Sequence, residues 1–102
     1  EVEEVIMLHD TVQLAACTPV DDEIRGEEVK AHVVPKTEVE DREQFVTDLI
    51  KHCEENLASF KVPRYWEFRD SLPLTPSERI AKHRLHEMKF PYYDRVEDKW
   101  IE

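Results

Sequence analysis

One helical stripe constrains this chain more than any other feature. Phe45, Val46, Leu49, Ile50, Cys53 and Leu57 recur at i, i+4, i+8 and i+12 spacing, so their side chains share one face of a helix. Asp41 with Gln44 resembles a capping box, which sets the predicted helix from about Arg42 to Leu57. An oily face of that length has to be covered, and strand-like patterns on both sides of it offer a sheet to rest on.

Val2, Val5, Ile6 and His9 recur at helical spacing in an acidic segment and predict a short helix ending near Asp10. Val12 to Val20 then reads as a strand. After the acidic turn Asp21-Asp22-Glu23, the segment Glu28 to Pro35 alternates Val29, Ala31 and Val33 with Lys30, His32 and Val34, Val34 breaking the polar face. The two strands are expected to pair as a hairpin with a long connection. Pro63 bars helix continuation, and Tyr65 to Arg69 predicts a third strand with Trp66 and Phe68 on one face and Tyr65, Glu67 and Arg69 on the other. Pro73 and Pro76 keep the next segment extended, and a final helix is predicted from about Ile80 to Lys89. The order αββαβα implies an α+β fold, a small mixed sheet of about three strands with packed helices. A tail with Phe90, Tyr92, Tyr93, Trp100 and Ile101 set among charges is expected to bury its aromatics, either on this sheet or against another domain or subunit.

At 102 residues the chain fits a single domain, with 40% hydrophobic and 37% charged residues and no apolar run long enough to span a membrane. A net charge of -10 argues against nucleic acid, which requires a basic footprint. The charge is uneven: residues 1–60 hold 5 Lys/Arg against 16 Asp/Glu, whereas residues 61–89 hold 7 against 4. A basic face on an acidic body suits a small phosphorylated ligand, and a solvated charge pattern would look the same. Cys17 and Cys53 fall on strand and helix patterns as small buried hydrophobes of a reduced, cytoplasmic compartment, with no disulfide between them. No metal is expected, because the histidines and cysteines show no C-x-x-C or H-x-x-x-H pair.

On the predicted final helix Arg79, Lys82, His86 and Lys89 lie on one side and Ala81, Leu85 and Met88 on another, so one face packs while the other presents a cationic ridge. Gly26, the chain's one glycine, fits a turn that needs positive φ, or a turn that also meets a partner surface. Beside it, Arg25 offers a fork suited to phosphate.

The most specific wording lies between Phe60 and Leu85. Phe60-Lys61-Val62-Pro63-Arg64, followed by Leu72-Pro73-Leu74-Thr75-Pro76-Ser77-Glu78-Arg79-Ile80, resembles the lysine-loop end of the adenylate-forming acyl-CoA synthetases, which read K-V-P-R and then L-P-x-T-P-S-G-K-I. The hairpin is similar too: Ala15-Ala16-Cys17, Asp22-Glu23-Ile24-Arg25-Gly26-Glu27 and Lys30-Ala31-His32-Val33-Val34 follow the family's order, with Pro19 slightly ahead of its usual place. Together these segments cover about residues 2–89, and the linked order is more specific than any single motif. The wording Pro-Ser-Glu-Arg-Ile followed by Lys-His-Arg-Leu is similar to crotonobetaine/carnitine-CoA-ligase-like members.

That resemblance implies a mobile C-terminal lid, residues 1–102 with 90–102 as an extra tail, taken from a longer chain whose large N-terminal nucleotide-binding domain would precede residue 1. It implies ATP and Mg2+, bound mainly by that domain, coenzyme A, and a small carboxylic acid. An acyl-adenylate forms first, and rotation of the lid then admits CoA to make the thioester. The family's lysine, which reaches the α-phosphate and the carboxylate, falls at Arg79, and Glu78 stands where the family has glycine. Arg79 is the implied catalytic cation, with Lys82 one turn on as a substitute; Arg25, Gly26, Lys61 and Arg64 are the implied nucleotide or CoA contacts. The isolated chain is expected to be inactive. Arginine keeps the charge, but its planar fork is not a conservative replacement for an ammonium. If the change resembles removal of one preorganised donor, adenylation slows on the order of 10² to 10³-fold. Two alternatives stay open on these residues: an enzyme in which only thioesterification works well, and a non-catalytic module of the same fold.

Overall fold

Two α-helices and a five-stranded sheet make up the computed structural model, which describes residues 1–22, 24, 26–77, 79–85 and 89–102, Asp22 by its backbone alone. Helix α1 (Val2–Met7) leads into strands β1 (Val12–Asp22) and β2 (Gly26–Pro35). Helix α2 (Arg42–Asn56) and a 3₁₀ turn (Ser59–Lys61) carry the chain to β3 (Tyr65–Phe68). A second 3₁₀ turn (Lys82–Arg84), β4 (Tyr92–Asp94) and β5 (Lys99–Ile101) complete it. The strands stand in the order β1-β2-β3-β4-β5, every neighbouring pair antiparallel except β2 with β3. The parallel pair is what α2 makes possible, since parallel strands need a crossover between them.

The α2 stripe is buried as its spacing predicts. Val46, Leu49 and Cys53 pack with Ile6 of α1, Ala31 and Val33 of β2 and Trp66 of β3 in one core. Fully burying a side chain of this kind, as at Leu49, contributes about 1.5–3 kcal/mol. Asp41 caps the helix by accepting the Gln44 amide at 3.1 Å. The Gln44 side chain turns forward to Asp48 at 2.8 Å, so only half of a capping box forms. Both cysteines are free, and burial raises their thiols to about 12 (Cys17) and about 11 (Cys53).

Three expectations change. The hairpin is tighter than predicted: pairing runs out to Asp22 and Gly26, with only residues 23–25 between the strands. Gly26 has φ +84°, the left-handed conformation that closes a short hairpin loop. The predicted helix from Ile80 to Lys89 is, over its described residues, one 3₁₀ turn. The bridge between Leu74 and Ile80 and the Ala81 amide bonded to the Pro73 carbonyl at 2.8 Å hold the chain extended until that point. His86 and Met88, assigned to its two faces, lie outside the described residues.

The sheet has five strands rather than about three, because the tail supplies two. Residues 90–102 pair onto β3 through Tyr65↔Asp94, Trp66↔Tyr93 and Glu67↔Tyr92, then fold back as β5. Trp100 packs against Phe68 and Tyr93, with the Arg42 guanidinium 4.2 Å above its ring. Asp94 pins this hairpin: it accepts both arms of the Arg64 fork, at 2.9 and 3.1 Å, and the amides of Val96 and Glu97 at 3.0 and 3.2 Å. Burial by itself would raise the Asp94 pKa, and the Arg64 fork and the two amides outweigh it and hold it below the usual carboxylate range. Asp94→Ala removes the carboxylate shared by the Arg64 fork and the two amides, and we expect a loss of about 3 kcal/mol in urea unfolding, with amide exchange rising over residues 92–101 before it rises in α2.

Candidate functional site

Val34, the apolar residue on a strand face assigned to solvent, reveals how the second side of the sheet is used. It packs with Ala16, Leu72 and Leu85, so the extended segment 72–85 lies across this face as α1 and α2 lie across the other. The segment carries a small hairpin. The Thr75 amide donates to the Arg79 carbonyl at 2.7 Å, and the Arg79 amide donates to Thr75 Oγ1 at 3.2 Å. Leu72, Ala81 and Leu85 are buried at its base. The Arg79 side chain is exposed, and among the described residues no carboxylate pairs with its guanidinium. Glu78 beside it lies outside the described residues.

Lys82 is half exposed but engaged. Its Nζ lies 2.8 Å from Glu3 Oε2, which also accepts the Cys17 amide at 2.7 Å. Burial pushes the Glu3 pKa upward, and the Lys82 and Cys17 bonds outweigh it to leave the carboxyl below its ordinary value. Since no helix joins residues 79 and 82, the expected ridge of Arg79, Lys82, His86 and Lys89 on one helical side does not form over the described residues. Arg79 instead projects from a hairpin, and Lys82 reaches around the free edge of β1.

The other nominated residues stand elsewhere. Arg64 commits its fork to Asp94, and its amide donates to the Val29 carbonyl at 3.0 Å. Lys61, at the end of its 3₁₀ turn, donates to Glu1 Oε1 at 2.5 Å on the surface. Among the described residues no atom comes within 4 Å of where a Gly26 Cβ would sit, so the glycine there answers a backbone requirement, its φ of +84°. Arg25 lies outside the described residues. Lys82 binds Glu3, which meets the edge strand β1, whereas Asp94 lies on β4, three strands along the sheet. Arg79 and Lys82 thus share the segment that crosses the Val34 face, whereas Arg64 stands just before β3.

Sequence reasoning missed a buried charged relay beneath segment 72–85. Thr18 Oγ1 lies 2.8 Å from His32 Nε2, His32 Nδ1 bonds Glu67 Oε1, and Lys30 Nζ stands 3.2 Å from Glu67 Oε2. Arg69 Nε donates to Glu67 Oε1, and its Nη2 donates to the Leu85 carbonyl at 2.6 Å. The available signal was Val34: an apolar residue there means the face is covered, so His32 and Glu67 on the same face need partners. Burial, which disfavours the imidazolium, is the main cause that pushes the His32 pKa below its ordinary value, against the pull of Glu67. A neutral ring with Nδ1 donating to the carboxylate leaves Nε2 to accept from the Thr18 hydroxyl. Burial also acts to raise Glu67, and His32, Lys30 and Arg69 overcome it and keep the carboxyl below its usual range.

One cavity of about 610 Å³ is lined by residues including Gln13, Lys36, Arg69 and Asp70, and another of about 400 Å³ by residues including Leu72, Arg84 and Phe90; neither includes Arg79. Among the described residues no cluster of His, Cys, Asp and Glu could hold a metal ion, and no helix is long and apolar enough to cross a membrane. The arrangement offers an exposed guanidinium on a braced hairpin, outside both of these cavities.

The chain is similar to known proteins in sequence and in fold. The profile of the AMP-binding enzyme C-terminal domain matches residues 1–79. A methyl-dioxo-octahydro-indenyl-propanoyl:CoA ligase of Rhodococcus jostii is 43% identical over 89 residues, which are 87% of this chain and 17% of the relative. A crotonobetaine/carnitine–CoA ligase of Salmonella arizonae is 41% identical over 86 residues, 83% of this chain and 16% of the relative. The o-succinylbenzoate CoA synthetase of Bacillus subtilis, solved with its acyl-adenylate intermediate, superimposes with a TM-score of 0.76 at 27% identity, covering 87% of this chain and 17% of that one. The chain therefore spans about one sixth of the length of the relatives it matches.

The His32 relay has a pH signature. An unfolded histidine titrates near pH 6.5, whereas folded His32 resists protonation to lower pH. The unfolded chain then binds the extra proton, so stability is full above about pH 6.5 and declines as pH falls below it. Between pH 7 and pH 5.5 the urea midpoint should fall, and His32→Gln should flatten that slope. Loss of the Glu67 contribution belongs to more acid solution, below the ordinary carboxylate pKa of about 4.3.

Proposed function

We infer the role from one premise: this chain belongs to the family of AMP-binding enzyme C-terminal domains. We propose that it is the lid of an ATP-dependent acyl-CoA ligase whose large nucleotide-binding domain precedes residue 1. In the first step a carboxylate oxygen of the substrate attacks the α-phosphorus of ATP and pyrophosphate leaves. In the second, after the lid rotates, the CoA sulfur attacks the acyl carbon and AMP leaves.

The observation that carries this reading is Arg79, an exposed cation on a braced hairpin and outside the described cavities. A cation so placed serves a phosphate held by another surface. Its charge would offset the negative charge shared by the attacking carboxylate and the α-phosphate. Mg2+ would be held outside the described residues of this chain. Lys82 can take the role of Arg79 only by leaving Glu3, which makes it the reserve cation. Lys61 is on the surface and is the better placed of the two K-V-P-R cations to meet nucleotide or CoA, because the Arg64 fork is occupied by Asp94. Arg25 and Gly26 complete the proposed contacts from the hairpin tip.

The wording of residues 76–85 and the Salmonella relative support a crotonobetaine/carnitine-CoA-ligase-like subtype, with the acid held by the preceding domain. Two free thiols, Cys53 buried and Cys17 half-buried, fit a reduced, cytoplasmic setting. A second reading, an enzyme efficient only in thioesterification, draws on Glu78-Arg79 standing in place of Gly-Lys.

In the full-length ligase, Arg79→Ala should lower ATP–pyrophosphate exchange on the order of 10² to 10³-fold and lower thioester formation from synthetic acyl-adenylate much less. Equal loss in both assays, or in neither, would count against Arg79 as the adenylating cation. Parent enzyme that makes thioester from the adenylate but shows no exchange would establish the second reading.

A further inference from the structure

We propose that Arg69 is a positioning residue for adenylation, holding the Arg79 hairpin at a fixed height above the sheet; the inference rests on Arg79 being the adenylating cation. Arg69 follows β3, and its amide donates to the Val33 carbonyl at 2.9 Å. Its side chain is buried, one arm on Glu67 and the other donating to the Leu85 carbonyl at 2.6 Å, with its guanidinium 4.3 Å above the Phe90 ring. Behind it the carboxylate of Glu67 is fixed by His32 and Lys30, and His32 is fixed by Thr18. A connected set of polar groups therefore runs from β1 across β2 and β3 to the carbonyl that ends the segment bearing Arg79.

The links from Leu85 back to Arg79 are short. The Leu85 amide donates to the Lys82 carbonyl at 3.1 Å, the Ala81 amide to the Pro73 carbonyl at 2.8 Å, and the Thr75 amide to the Arg79 carbonyl at 2.7 Å. Lys82 tethers the opposite side of the same turn to Glu3. Burying a guanidinium and a carboxylate is a poor way to gain stability, since apolar side chains of the same volume often do as well or better. What the ion pair adds is a donor pointed at one carbonyl. A cation that must meet a phosphate in another domain needs such placement, because displacement by about 1 Å can cost on the order of 10²-fold in rate.

The experiment is a double-mutant cycle in the full-length ligase. Arg69→Met should stay folded, with ATP KM changed by less than about threefold, and should lower kcat of ATP–pyrophosphate exchange on the order of 10 to 100-fold. Thioester formation from synthetic acyl-adenylate should hardly change, and Arg69→Lys, which can still reach Glu67 and Leu85, should recover part of the lost rate. Added to Arg79→Ala, Arg69→Met should cost nothing more, because a residue that acts through Arg79 has nothing left to position. Losses that multiply, or folded Arg69→Met with unchanged exchange, would overturn the positioning role and leave the role of Arg79 standing. An Arg79→Ala enzyme with normal exchange would overturn both. If Arg69→Met does not fold, the cycle is run with Arg69→Lys, whose smaller loss should likewise vanish on the Arg79→Ala background and would refute the role if it persisted.

Discussion

The carboxylate of Glu67 is the contact on which the second face of this sheet depends. It is 1% exposed and meets Lys30, His32 and Arg69 at once, so donors attached to β2 and to the end of β3 converge on one pair of oxygens. Removing such a group from water costs several kcal/mol, and attraction offsets that only where geometry is good and the remaining polar atoms are satisfied. Here they are satisfied: Thr18 completes His32, and the Leu85 carbonyl completes Arg69. Neutral His32 is also what the charge balance asks for, since Lys30 and Arg69 already exceed the single charge of Glu67. The outcome is a directional scaffold beneath the hairpin rather than a gain in stability for its own sake.

Both sides of the sheet have their outer strand treated in ways that serve this scaffold. β1 is an edge strand, and Cys17 gives its amide to Glu3 instead of to β2. Pro19 is two residues on, so its missing N–H falls on the same outward side, where a proline is tolerated in a strand. Glu3 therefore satisfies an edge amide and holds Lys82 with one oxygen, joining the helical layer to the hairpin segment around the strand. On the other side β4 and β5 cover β3, held by the Arg64–Asp94 fork, so the strand that carries Glu67 lies between two partners. The chain is acidic, with net charge -10, yet it exposes Arg79 with no carboxylate partner among the described residues.

Features with strong local causes were legible from the residues. The α2 stripe, the Asp41 cap, the glycine at φ +84° and the β3 run all depend on neighbours within a few positions, and all fall where their pattern places them. The tail was legible as something that buries aromatics, but strands of three residues are too short to display an alternation, so pairing with β3 could not be read. The Ile80 to Lys89 helix was misread because its wheel took no account of the Leu74–Ile80 bridge, a contact made by two prolines and a threonine turn upstream. Arg64 illustrates the limit for site residues: the motif marks it as a cation near ligand, whereas its partner Asp94 is thirty positions away.

The sequence by itself determined helices α1 and α2 and the central strands, the turn at Gly26 and the motif that marks residue 79, because backbone propensity, periodicity and side-chain chemistry are local. Only the tertiary structure decided which polar residues are buried and what each cation touches. Val34, His32 and Glu67 lie on a face that alternation alone assigns to water, and it becomes interior only when segment 72–85 folds over it. The physical reason is that desolvation and ion pairing depend on distances between atoms far apart in the chain, and those exist only once the sheet is assembled.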